Sequence, residues 1–250
     1  MRTVSHTLIT VALLAAACKK DGPDPTPSPT PTPSGVADID GNRYDTLTIG
    51  DHTWFTENLR VRRFRNGDSI PYVTDNAEWD ANHPAPECCA YQNDAALVPV
   101  HGLLYAVSVL QDARGVCPEG WHPSTDADWQ DLEAHLGMPA SQLDSVTTPG
   151  PYGAWRGGAQ NVGGKLKAGT SWDGPNVGAD NSSGFTALAS GQRNNFGLFT
   201  GMGEVAAFWS ITPGGWVRML SYQEPGVFRF NHDMGSDQPG YGHSCRCVKD

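Results

Sequence analysis

The sequence predicts an α+β fold: a single loop-rich domain of short antiparallel strands with two short helices, stapled by disulfides and preceded by an export signal and a stiff tether. Three observations carry this expectation. The 29 glycines and 19 prolines are spread through the chain and break up long regular elements over most of its length. Apolar residues alternate in short runs between turn residues, and only two stretches carry helical spacing. Five cysteines follow the N-terminal region of a chain that reads as exported, where thiols meet oxidising conditions.

Met1-Arg2-Thr3 precedes an apolar stretch from Leu8 to Ala17, and small residues lead up to Cys18. That run is too short to span a bilayer, which takes about 20 residues, so residues 1–17 read as a signal peptide. Leu14-Ala15-Ala16-Ala17-Cys18 resembles a bacterial lipobox, with Ala15 where Leu is commonest. Cys18 is therefore the expected lipid attachment site, the alternative being an ordinary cysteine near a signal peptidase site. Two acyl chains on Cys18 anchor a protein durably where one is marginal. From Lys19 to Val36 proline recurs at every second position and no apolar period exists, which favours extended polyproline geometry. Residues 18–36 thus form the lipidated cysteine and its spacer, and the expected location is the outer membrane or cell surface.

Residues 37–250 are long enough for one domain with a full core. Asp38 to Phe55 reads as a meander, with an Asp-Gly hairpin signal at Asp40-Gly41 and a second turn at Gly50-Asp51. Arg63 to Asp94 is polar and irregular, a long loop. His101 to Asp112 places Leu103, Val107 and Leu110 on one face of a short helix. In Pro123-Ser124-Thr125-Asp126-Ala127-Asp128-Trp129, Thr125 is set to cap a second helix with Asp128 as its acidic partner, and Gly137 ends it. Pro139 to Ser183 reads as loop. Strands are expected at Gly184–Leu188, Ala206–Ile211, Val217–Tyr222, Val227–Phe230 and Ser244–Val248.

The net charge of −10 argues against a nucleic-acid partner. One basic hexad, Arg60-Val61-Arg62-Arg63-Phe64-Arg65, stands against that balance. It suits either a sulfated or acidic glycan or, as charge runs usually do, a solvated edge, and the second reading is preferred. The five domain cysteines, Cys88, Cys89, Cys117, Cys245 and Cys247, lack the C-x2-C spacing of zinc sites, so disulfides are the default. Cys245 and Cys247 share one face of a strand and lie too far apart there to bridge each other.

The residues also resemble a known family. Asp38-Ile39-Asp40-Gly41-Asn42-Arg43-Tyr44, Trp54-Phe55-Thr56-Glu57-Asn58-Leu59, Cys88-Cys89-Ala90-Tyr91-Gln92-Asn93-Asp94, Gly102-Leu103-Leu104-Tyr105 and Cys117-Pro118-Glu119-Gly120-Trp121-His122 occur in order. Gly164-Lys165-Leu166-Lys167, Ser183-Gly184-Phe185-Thr186-Ala187-Leu188, Gly191-Gln192-Arg193, Phe208-Trp209-Ser210 and Arg246-Cys247-Val248-Lys249-Asp250 follow. Together they resemble the Fibrobacter succinogenes major paralogous domain over essentially all of residues 37–250, with Ile211 and the extra Cys245 as departures. The resemblance implies a fold similar to the C-type lectin-like one, a looped antiparallel domain whose ends are joined. It brings no reaction and no established ligand. The expected bridges are Cys117 with Cys247 and one of Cys88 and Cys89 with Cys245, leaving one thiol over, although spacing does not fix connectivity.

Function is expected to be binding or adhesion at the cell surface without catalysis, toward a glycan or another surface macromolecule. Trp121, Trp129 and Trp209 read as core, since aromatic residues in regular strands and capped helices mostly pack inside. Trp155, Trp172 and Trp216 lie in Gly/Pro-rich surroundings and, with Arg193, are the candidate binding residues. Asp173, Asn176, Asp180 and Asn181 share one loop that could supply calcium ligands, but such residues are ordinary in turns and no cofactor is required. The competing classes are a structural envelope lipoprotein without a ligand and an enzyme. An oxidase would use a reactive cysteine, with His122 near Cys117 in sequence. A glycosidase would need two carboxylates across a cleft, from Glu57, Asp126, Asp128 and Glu204, and a serine hydrolase is disfavoured because no Gly-x-Ser-x-Gly elbow occurs.

Overall fold

Two glycine turns open the domain as the sequence predicts. Gly41 and Gly50, at φ 83° and 63°, close hairpins that pair β1 (Val36–Ala37) with β2 (Arg43–Tyr44) and β3 (Thr46–Ile49) with β4 (His52–Phe55). The computed structural model describes residues 35–79, 85–147, 155–232 and 240–250, so the signal segment, Cys18 and the tether lie outside the described residues. Residues 34–250 form one compact unit.

The next elements are β5 (Cys88–Cys89), α1 (Val98–His101), β6 (Leu104–Ala106), α2 (Val107–Leu110) and β7 (Trp121–Pro123). The helix expected over His101–Asp112 is only partly there. Leu104 and Tyr105 pair with Cys89 and Cys88 as β6, and one helical turn follows. Pairing in a buried sheet has won over local helical spacing. Helix α3 (Asp126–His135) carries the predicted capping box: Thr125 Oγ1 accepts from the Asp128 amide at 3.2 Å and the Asp128 carboxylate accepts from the Thr125 amide at 2.7 Å. Gly137, at φ 97°, follows its end.

The stretch expected as loop contains α4 (Ala140–Leu143) and α5 (Val162–Leu166). Its folding is set by Lys167, whose buried ammonium donates to the carbonyls of Val177, Ser221 and Glu224 at 2.7, 2.8 and 3.0 Å. Burial brings that ammonium down to about 8. The expected strand at 184–188 is reduced to a single bridge between Lys167 and Ala187. The other expected strands are found as β10 (Val205–Trp209), β11 (Trp216–Ser221), β12 (Phe228–Asn231) and β14 (Cys247–Lys249), with β8 (Ser190–Arg193), β9 (Phe199–Met202) and β13 (Gly242–His243) added.

The largest sheet runs β12-β11-β10-β8-β13-β6-β5, with β9 added on β8. A second runs β3-β4-β14-β7, with Val248 opposite both Trp54 and His122, so the last strand ties the domain's end to its beginning. Trp54, Trp129, Phe185 and Phe208 form an aromatic core whose neighbouring ring centroids lie 5.2 to 5.8 Å apart. Trp121 and Trp209 join a second cluster with Tyr44, Phe55 and Tyr105, in agreement with their expected place in the core.

Beside α3 lies a buried ionic chain. Glu133 accepts two bonds from Arg156, Arg218 bridges Glu133 to Asp126, and Arg229 donates to Asp126 through Nε and Nη2. Such a chain fixes which surfaces meet more than it adds stability, because each ion has lost its water. It also removes Asp126 from any hydrolytic role.

One disulfide is present, Cys117–Cys247, as expected. The second expected bridge is not formed: Cys88, Cys89 and Cys245 are buried free thiols. Adjacent positions on a strand face opposite ways, so Cys88 enters the main core and Cys89 a separate small cluster with Trp79 and Tyr91. The Cys245 sulfur sits instead against the existing bridge, the three sulfurs of Cys117, Cys245 and Cys247 lying within 4.8 Å of one another.

Candidate functional site

The expected binding residues are placed differently from one another. Trp155 is half-buried, with its ring 5.3 Å from that of Phe228. Trp172 donates Nε1 to the Ala187 carbonyl at 2.9 Å and packs on the aromatic core. Trp216 is covered on one face by the Arg229 guanidinium, 3.7 Å from its centroid. All three are built into the fold on at least one side.

Arg193 is corrected outright as a contact residue. It is fully buried, because its guanidinium satisfies protein carbonyls: Gly197 at 3.0 Å, Val73 at 2.8 Å, Asp75 at 3.1 Å, and the Asn76 side chain at 3.0 Å. Its flat faces meet Trp79 and Phe199 at 4.4 and 4.8 Å. Charged side chains are almost never buried unless they are paired in this way.

What Arg193 does is hold a hairpin tip in place. Between β8 and β9, Asn194 closes the turn: its amide donates to Leu198 O, and its side-chain oxygen accepts from the amides of Phe196 and Leu198 at 3.0 and 2.9 Å. Gly197, at φ 75°, lies so close to Asn76 that a side chain there would meet the Asn76 backbone. Phe196 is left 74% exposed and Leu198 52% exposed at the tip of a clamped turn. Composition and motif spacing missed these two residues. The signal available was a turn sequence, Asn194-Asn195-Phe196-Gly197, with an aromatic residue where a polar one is usual.

The strap that Arg193 grips, Val73 to Asn76, continues back to Tyr72, which lines a groove of about 660 Å³. Its walls are Arg60, Arg62, Tyr72, Asn93, Val98 and Pro99, with Asn42, Ala95 and Leu103. Asn93 fastens the groove to the strap by donating to Thr74 O at 2.9 Å. Arg60 is committed to the carbonyls of Pro99 and Arg43. Arg62 lies with its guanidinium carbon 4.2 Å from the Tyr72 centroid, and the residue is exposed. The strap thus runs from Tyr72 in the groove lining to Asn76, which is bonded by Arg193 and abuts Gly197 in the turn.

A second groove, of about 580 Å³, is lined by Arg65, Gln111, Cys117, Trp121, His122 and Ile211 among others. His122 is bonded to Asp128 at 3.1 Å and to Asp250 at 2.7 Å, and the Asp128 bond chiefly raises its pKa. Burial works to raise Asp128, yet donors from His122 and Thr125 carry it below its ordinary range. Cys117 beside it is in the bridge and has no thiol to offer. Glu57 accepts the Asp45 amide and Glu204 stands exposed beside a turn, so the four carboxylates weighed for hydrolysis serve separate local roles.

The calcium candidates are used mainly by their own loop. Asn176 donates to Ala168 O, Asp180 accepts from the Ser182 amide and from Asn161, and Asn181 bonds Thr186 through both ends of its amide. Asp173 lies beside Gly203. Among the described residues, the one group of three or more His, Cys, Asp and Glu side chains close enough to share a metal is the Cys117, Cys245 and Cys247 set, two members of which are bridged.

Comparison with known proteins gives one match, to the family profile described as Fibrobacter succinogenes major domain, over residues 47–249. No curated protein and no solved structure matches the chain.

Proposed function

The chain belongs to the Fibrobacter succinogenes major domain family, and from that premise we propose that it is a non-catalytic binding or adhesion module, lipid-anchored through Cys18 at the outer membrane or cell surface. Its ligand is a glycan or another surface macromolecule, and the proline tether lets the domain reach it. The observation that carries this reading is the Phe196 tip: a large apolar side chain is held out in water by a turn that a buried arginine and an asparagine have fixed beforehand. Rigid aromatic anchors on pre-organised loops give large contact areas at small entropic cost. The joining of β4 to β14 also supports a C-type lectin-like architecture, a scaffold whose loops suit recognition.

The test is an array of surface polysaccharides and matrix proteins probed with the full-length protein and with Phe196→Ala. Binding by the wild type, weakened in the variant, supports the reading. Absence of binding across the array supports a structural envelope protein instead.

A further inference from the structure

We propose that the groove lined by Tyr72 is a subsite for the carboxylate of an acidic sugar, a uronic acid unit within a polysaccharide, with Arg62 as its reader. This rests on the binding-module reading above and names its ligand class.

The groove contains a charge imbalance that the fold leaves open. Asp40 accepts from the Arg62 amide and from the Arg63 guanidinium. Asp38 is bonded by Asn42, by the Asp40 amide and by the Tyr44 hydroxyl. Glu57 takes the Asp45 amide and stands 3.9 Å from Arg60. The neighbouring carboxylates are thus engaged, whereas the Arg62 guanidinium makes no hydrogen bond to any described residue and is held only by its stack on Tyr72. The open charge is positive, on a chain whose net charge is −10.

Both residues line the groove, so the Arg62 guanidinium, its carbon 4.2 Å from the Tyr72 centroid, presents its planar N–H fork at the groove wall, which suits a planar carboxylate bound by two parallel bonds. The Tyr72 hydroxyl accepts from the Ala90 amide at 3.1 Å, so the platform itself does not swing. Val98 and Pro99, also in the lining, add an apolar surface against which the C–H face of a sugar ring can lie. A neutral sugar would meet the apolar surface but leave Arg62 unused.

Binding of oligogalacturonate, neutral dextran and dextran sulfate to the full-length protein tests this, by calorimetry at low salt. Oligogalacturonate is expected to bind, to weaken as salt is raised, and to weaken about tenfold or more in Arg62→Ala, with Arg62→Lys between, because lysine keeps the charge but not the fork. Unfolding temperatures of both variants should stay near wild type. The proposal is overturned if oligogalacturonate does not bind, if dextran or dextran sulfate binds as tightly, or if Arg62→Ala binds it as well as wild type does. Failure here with a neutral polymer still captured through Phe196 leaves the binding-module reading standing. Failure of every polymer removes both.

Discussion

Arg193 Nη1 donates to the carbonyl of Val73 at 2.8 Å, so a residue at the end of β8 holds a strap lying 120 positions earlier in the chain. Arg193→Met should leave the carbonyls of Val73, Asp75 and Gly197 without donors and cost about 3 kcal/mol or more in urea unfolding. Arg193→Lys should fall between, since one ammonium cannot reach partners on both sides of a planar fork. A variant as stable as wild type would show that the strap holds itself.

Phe196 and Trp172 should separate binding from stability. Phe196→Ala removes an exposed ring and is expected to leave the unfolding free energy within about 0.5 kcal/mol of wild type, while weakening polymer binding by more than about 1 kcal/mol. Trp172→Ala removes a ring that packs on the core and bonds Ala187, and should destabilise by about 2–4 kcal/mol. Parallel unfolding and binding curves decide it; the reverse pattern would place the recognition surface at Trp172, as the sequence suggested.

These contrasts also mark what was legible in the sequence. The two hairpins at Gly41 and Gly50 and the capped helix from Thr125 to Gly137 are specified by residues within a few positions of each other, so spacing alone finds them. The pairing of β13 between β6 and β8 joins segments far apart in the chain, and local helical spacing misled at Leu103, which lies outside the one helical turn that forms from Val107. Arg193 was expected to be a contact residue and is buried instead. Its burial depends on carbonyls from another segment, which no local pattern announces.

Cysteine chemistry gives a third expectation. Native protein should yield three thiols that resist alkylation until it is unfolded, because burial pushes the thiols of Cys88 and Cys89 up to about 12, and that of Cys245 higher still. The bridge closes a separation of 130 residues, and its loss in Cys117→Ser should cost ~5 kcal/mol on the loop-closure account. In Cys247→Ser, oxidative refolding should join Cys117 to Cys245, whose sulfur already lies within 4.8 Å. Non-reducing peptide mapping reads both results, and recovery of Cys117 as a free thiol from Cys247→Ser would show that the third sulfur cannot substitute.

Lipidation is tested at the other end of the chain. The mature protein should begin at Cys18 and carry acyl chains, detectable by metabolic labelling with a fatty acid and by mass spectrometry of the N-terminal peptide. A free amino terminus at any other residue, without lipid mass, would leave the tether as a spacer with no anchor.

Acid should loosen the domain at a place the sequence does not advertise. His232 and His243 are buried and share a 3.1 Å contact between their Nε2 atoms, with His232 stacked on Tyr241 and the His243 ring 4.5 Å from that of Trp209. Burial holds His232 down to about 4, and burial together with the charge of His232 holds His243 well below its ordinary value. In the unfolded chain both titrate near 6.5, so between the two values the unfolded state takes up protons that the native state refuses. Stability is then fully present above about 6.5 and is lost as pH falls toward 4, by about 3 kcal/mol for His232 alone. His122 runs the other way: its raised pKa stabilises the fold below about 6.5 and that contribution fades as pH rises through its folded value, but the group is partly exposed and the effect is small. Thermal unfolding from pH 7 to 4.5, followed by Trp209 fluorescence, should therefore show a falling midpoint, and the slope should flatten in His232→Gln. An unchanged slope in that variant would move the acid sensitivity to the carboxylates of the buried ionic chain.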